Sequence, residues 1–181
     1  MLWLVGGAIF LFRSIFRDPK VDLRFLIAGV LVPDLIDLTV GTLLLAERYS
    51  SGRLFFHTLI APVSAGLLVM VLIRRGSRRR RWLAFVIGMF FHLLLEGMWA
   101  NTTVFLWPLV GDFPAGPSPY WALLGDRLWS DPWRWLRDLA GIVYLFGLGR
   151  QRQLIDPMIR HKLLRTGVLD ESESVSSGGT C

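Results

Sequence analysis

A chain of 181 residues that is 53% hydrophobic, with 8 Trp, 12 Phe and a mean hydropathy of +0.49, is too apolar and too aromatic for an ordinary soluble domain. Its one cysteine, Cys181, excludes a disulfide framework and a thiolate metal site within the chain. The net charge of +6 calls for no nucleic-acid partner, because arginines gathered in short loops anchor membrane proteins against anionic lipid headgroups.

In chain order, the first apolar run, Met1 to Phe16, is short and interrupted by Arg13. With no basic segment before it and no small-residue cleavage site after it, it is expected as a retained first helix. Phe25 to Ala46, Leu54 to Ile73 and Trp82 to Ala100 follow. Each reaches the about 20 helical residues that a bilayer core of about 30 Å requires. Leu136 to Leu148 is shorter and fits a short or tilted span, with an interfacial helix as the alternative.

The loop "RRGSRRRR", Arg74 to Arg81, holds six arginines and is expected on the cytoplasmic side. Threading from there puts Arg13, Arg17, Lys20, Arg24 and the basic "GRQRQ" on the same side, and Arg48, Arg53 and residues 101–132 outside. The expected fold class is therefore all-α: a polytopic membrane helical bundle of about five spans, the first one short, over residues 1–149, multi-pass in the cell (inner or plasma) membrane. Residues 150–168 form a basic amphipathic segment on the cytoplasmic face, and 169–181 a disordered tail. Gly111 to Pro132, rich in Pro, Gly and Trp, suits an outer interfacial loop that caps whatever lies below it.

Within this oil-soluble sequence, five ionisable residues share one layer, from mid-membrane to the outer edge: Asp34, Asp37, His57, His92 and Glu96. Residues three or four apart share a helix face, which pairs Asp34 with Asp37 and His92 with Glu96. A charge at mid-membrane costs about 2.5 to 3.5 kcal/mol, so three carboxylates need a compensating positive partner. Protons, Arg53 or a metal ion would each supply it. Three carboxylates with two imidazoles suit a divalent ion such as Zn, Mn or Fe, one or two in number. The bland alternatives are a helix-to-helix hydrogen bond for each histidine and a capped kink at Pro33–Asp34.

"GVLVPDLID", "GRLFFHTLIAP" and "FFHLLLEGMWANTTVFLWPLVG", in that order and spacing, resemble the membrane-bound metal-dependent hydrolases of the YdjM type, described as LexA-binding inner-membrane proteins, in a branch with a Pro-Asp-Leu-Ile-Asp motif. The resemblance covers residues 29–114. It implies metal-binding roles for Asp34, Asp37, His57 and His92 and a carboxylate role for Glu96, with Arg53 four residues before His57. Many relatives have His-Arg-Gly where this chain has Gly52-Arg53-Leu54, Ser where it has Thr58, and Asp where it has Glu96.

The function expected is a metal-dependent hydrolase acting on a lipid-linked or amphipathic ester, foremost a phosphoester, near the outer half of the membrane. Metal would be held by Asp34, Asp37, His57, His92 and Glu96, with Glu96 and Asp37 as the catalytic carboxylates. Arg53 and Asn101 would orient the anionic group of the substrate. The alternatives are a proton- or metal-coupled transporter, for which a homodimer would make up for the lack of an internal repeat, and a non-catalytic scaffold docking through Arg74 to Arg81.

Overall fold

The structure is a computed structural model and describes residues 2–16, 18, 21–45, 52–113, 132–154 and 156–168. Seven α-helices and no strand are found among the described residues: α1 Leu2–Ile15, α2 Leu23–Thr39, α3 Ile60–Leu72, α4 Ser77–Glu96, α5 Thr102–Phe105, α6 Pro132–Gln151 and α7 Pro157–Thr166. The all-helical expectation holds. The outer loop over residues 114–131 and the tail 169–181, read from the sequence as an interfacial cap and a disordered end, lie outside the described residues.

The helix boundaries follow local chemistry. Asp22 caps α2, its carboxylate accepting the Arg24 backbone N–H at 3.2 Å. At its far end α2 widens without a break into a π turn, Val40–Leu44. Helix α4 stops at Glu96 because Gly97 takes the left-handed conformation, φ 74°, that a Cβ would disfavour. Asp156 and Pro157 start α7 and Gly167, also left-handed at φ 75°, ends it.

Helices α2 and α4 make the most extensive contact in the molecule. Where they cross, Gly29 and Gly88 face each other, and a Cβ on either would run into the opposite backbone, at the Phe85 carbonyl or the Leu26 carbonyl. Small residues let the two backbones touch, and this is what brings their polar faces within reach of one another. Helix α1 packs on α2, α4 and α6, closing a core of Leu4, Ile9, Phe12, Leu26, Val30 and Phe91. Helix α3 lies along α4. Helix α7 is tied to the start of α2: the Leu23 N–H donates to the Gly167 carbonyl at 2.7 Å. Arg24 donates to the carbonyls of Leu164 and Arg165.

No helix among the described residues is long and apolar enough to cross a membrane. The uninterrupted runs of the sequence are divided by backbone chemistry. Helices α1 and α3 have 14 and 13 residues, and α2 reaches 17 before the π turn. The two helices of 20 residues carry arginines in their first turns or further charges along their length. The span expected from Leu54 loses its first residues to an irregular segment and a 3-10 turn, Phe55–His57.

Candidate metal centre

The key segment is the non-helical approach to α3. Residues 54–57 bring three backbone N–H groups, from Leu54, Phe56 and His57, onto the Asp37 carboxylate at 2.8 to 3.1 Å. Asp37, in the last turn of α2, is fully buried, and a carboxylate in an apolar interior must be met by hydrogen-bond donors. The rings of Phe55, Trp107 and Phe113 pack together beside this segment, with Trp107 stacked on Phe113 at 4.9 Å. The Leu59 N–H donates to the Phe105 carbonyl, so α5 braces the same loop.

Asp37 also sets the histidine. Its Oδ2 lies 2.7 Å from His57 Nδ1. An oxygen already accepting backbone N–H groups acts as acceptor here too, so Nδ1 carries the proton and the Nε2 lone pair faces the opposite way. A carboxylate behind an imidazole is how proteins orient a metal-binding histidine.

Opposite that lone pair, three more ligand atoms converge. His92 Nε2 is 3.2 Å from His57 Nε2. Glu96 Oε2 is 3.0 Å from His57 Nε2 and 3.2 Å from His92 Nε2. Asp34 Oδ1 is 3.3 Å and 3.7 Å from the same two nitrogens. The four atoms all lie within 4.8 Å of one another, and together the four residues could hold a metal ion. Both imidazoles are fully buried, and Glu96 Oε2 is enclosed yet receives no hydrogen bond of acceptable geometry. An orphaned oxygen beside two imidazole nitrogens is the environment a divalent cation satisfies. The donor set, two nitrogens and two oxygens, fits Zn, Mn or Fe.

Arg53 completes the arrangement. Its Nε and Nη2 donate to Glu96 Oε1 at 3.0 and 2.6 Å, which leaves Oε2 turned toward the imidazoles.

A family model for the YdjM inner membrane protein matches residues 3–154. The chain belongs to the YdjM inner membrane protein family. This assigns it to the membrane and agrees with the resemblance carried by the three motifs. No curated protein and no solved structure matches the chain.

The three motifs thus meet in space, with Asp34, His57, His92 and Glu96 forming one cluster. Asp37, expected among the ligands and the catalytic carboxylates, is placed otherwise: its oxygens are filled by the 54–57 backbone and by His57 Nδ1, and it stands behind the ring. Arg53, expected to face the substrate, is paired with Glu96. Asn101 is exposed at the start of α5 and makes no capping bond. What the sequence did not show is that the 54–57 segment leaves the helix, so that its N–H groups rather than an ion neutralise Asp37.

Proposed function

We propose that this YdjM-family chain is a multi-pass, metal-dependent hydrolase of a lipid-linked or amphipathic phosphoester, with the Arg74 to Arg81 loop and the C-terminus in the cytoplasm. The observation that carries this reading is the convergence of His57 Nε2, His92 Nε2, Asp34 Oδ1 and Glu96 Oε2, with His57 fixed from behind by Asp37. Membrane embedding is supported by the apolar faces that α3 and α6 leave uncovered, where Val71, Leu72, Trp133 and Phe146 are each at least 68% exposed. Helices too short to span singly are accommodated where neighbouring segments satisfy their ends at membrane depth.

Asp34, His57 and His92 would hold the ion. When bound, it would polarise the ester oxygen and lower the pKa of a coordinated water. Glu96 Oε2, aimed into the cluster by Arg53, would accept the proton of the attacking water. Arg53 is 43% exposed, so its guanidinium still reaches the mouth of the site and would meet the substrate's phosphate there.

The test is metal content by elemental mass spectrometry on detergent-purified protein, beside Asp34→Ala and His92→Ala, with folding followed by circular dichroism. Near-stoichiometric metal in the wild type, lost in both folded variants, supports the site and leads to a screen of lipid phosphoesters. A folded wild type that takes up no Zn or Mn would sink the hydrolase reading and favour proton-coupled transport.

A further inference from the structure

At the far end of the α2–α4 pair from the metal centre lies a second feature, a cleft of about 610 Å³ between the end of α1, the starts of α2 and α4, and α7. Counting along α4 from Arg81 to His92 at about 1.5 Å per residue, it stands roughly 16 Å from the histidines. Among the described residues, four arginines and two aspartates line it, Arg24, Arg80, Arg81 and Arg165 against Asp18 and Asp22, a net of +2.

The charges are not equally available. Arg24 is spent on structure: its Nε and Nη2 pair with Asp22 at 3.0 and 2.9 Å and its Nη1 holds the end of α7. That same pairing consumes the Asp22 carboxylate, and Asp18 has a partner as well. The side chains of Arg80 and Arg165 make no hydrogen bond or ion pair with the described residues, and both are exposed to the cleft, with Arg81 beside them. The wall opposite is apolar: Phe12, Val21, Leu83, Ala84 and Ile87, with Phe12 and Ala84 themselves buried. Arginine matches phosphate oxygens by its forked donors, and an apolar wall adjoining it has no use for a fully hydrated ion.

The geometry points to a binding site for an anionic, phosphate-bearing amphiphile, a phospholipid of the cytoplasmic leaflet, separate from the metal centre. The phosphate lies between Arg80, Arg81 and Arg165, and an acyl chain lies along Phe12, Leu83 and Ile87. Helix α7 lies beyond the residues matched by the family model, 3–154, so the third arginine is contributed by a segment this chain adds to that match. Arg165 is brought to the site by the bonds from Leu23 and Arg24 that dock α7 on the start of α2.

The experiment is isothermal titration calorimetry of the full-length protein in zwitterionic micelles with short-chain phosphatidylglycerol, short-chain phosphatidylcholine and inorganic phosphate. Saturable phosphatidylglycerol binding is expected, weaker by about tenfold or more in Arg80→Gln/Arg165→Gln. The control Arg74→Gln/Arg78→Gln removes the same charge outside the cleft and is expected to bind within about twofold of wild type, with circular dichroism unchanged in both. Equal weakening in the two double variants would reduce the effect to general charge and overturn the site. Inorganic phosphate binding as tightly as phosphatidylglycerol would overturn the amphiphile, leaving a free-phosphate site. No saturable phosphatidylglycerol binding to folded wild type overturns the proposal outright.

Discussion

Helices α2 and α4 run against each other, and the two ends of that pair are chemical opposites. At one end Asp34, His92 and Glu96, joined by His57, converge on an electron-rich point in which both imidazoles are fully buried. At the other, Arg80, Arg81 and Arg165 surround an open cleft. The difference lies in how each end neutralises itself. The first buries most of its charge and answers it from within, by backbone N–H groups at Asp37 and by Arg53 at Glu96 Oε1, leaving Glu96 Oε2 turned toward the imidazoles. The second leaves its charge in contact with solvent, where unpaired arginines are cheap and remain available to a partner.

The largest effect is expected at the buried end. His92→Ala should reduce bound metal to less than about a tenth of wild type, as elemental analysis of the folded variant would read, because it would delete one of the proposed ligands. Metal retained in that variant would mean that His92 is not needed to hold the ion. Glu96→Gln separates ligand from base: metal retained with hydrolysis lost assigns the proton-accepting role, whereas metal lost places Glu96 in the coordination shell.

Asp37→Ala should destabilise the fold by more than about 3 kcal/mol, since three backbone N–H groups and an imidazole lose their acceptor in an apolar interior. Thermal unfolding in detergent measures this, and a variant as stable as wild type would show that water reaches the 54–57 segment. Gly88→Ala should cost about 1 to 3 kcal/mol, because its methyl meets the α2 backbone at the Leu26 carbonyl.

The smallest effect belongs to the basic end. Burial raises the Asp22 pKa, but its bonds to Arg24 outweigh this and hold the carboxyl below its ordinary value of 3.8. A lowered folded pKa means that the contribution of Asp22 to stability is complete above pH 3.8 and is lost as the pH falls through the lower folded value. The difference in thermal midpoint between wild type and Asp22→Asn should therefore be constant near neutrality and shrink in acid. A difference that grows in acid would show that the Arg24 contact does not control this group.

Much of the centre was legible in the sequence because side-chain chemistry survives any backbone detail. His92 and Glu96, four apart, had to share a face, and Asp34 in an apolar run had to find a partner. The identity of Asp37 as a support was not legible, since the spacing from Asp34 says which face it occupies and nothing about what meets it there. That depended on Leu54, Phe56 and His57 leaving the helix, in a stretch whose hydropathy reads as continuous span. Hydropathy also overstated helix length, because it does not register where the chain changes from α to π at Val40 or stops at Gly97. The cleft was missed for a different reason: "RRGSRRRR" was accounted for by topology, and the docking of α7 rests on backbone carbonyls, those of Leu164, Arg165 and Gly167, which no side-chain pattern announces.

The glycine crossing has a consequence for both ends. Gly29 and Gly88 are about 6 to 8 Å of helix from Asp34 and His92, but about 10 Å from Asp22 and Arg81. With the backbones in contact at that point, a change of tilt between α2 and α4 pivots there, and the gap at each end changes in proportion to its distance from the pivot. The candidate metal centre sits on the shorter arm, where the same motion changes the gap by roughly two thirds as much as at the other end. The basic cleft sits on the longer arm, where the same motion opens and closes the space between Arg24 and Arg81 more.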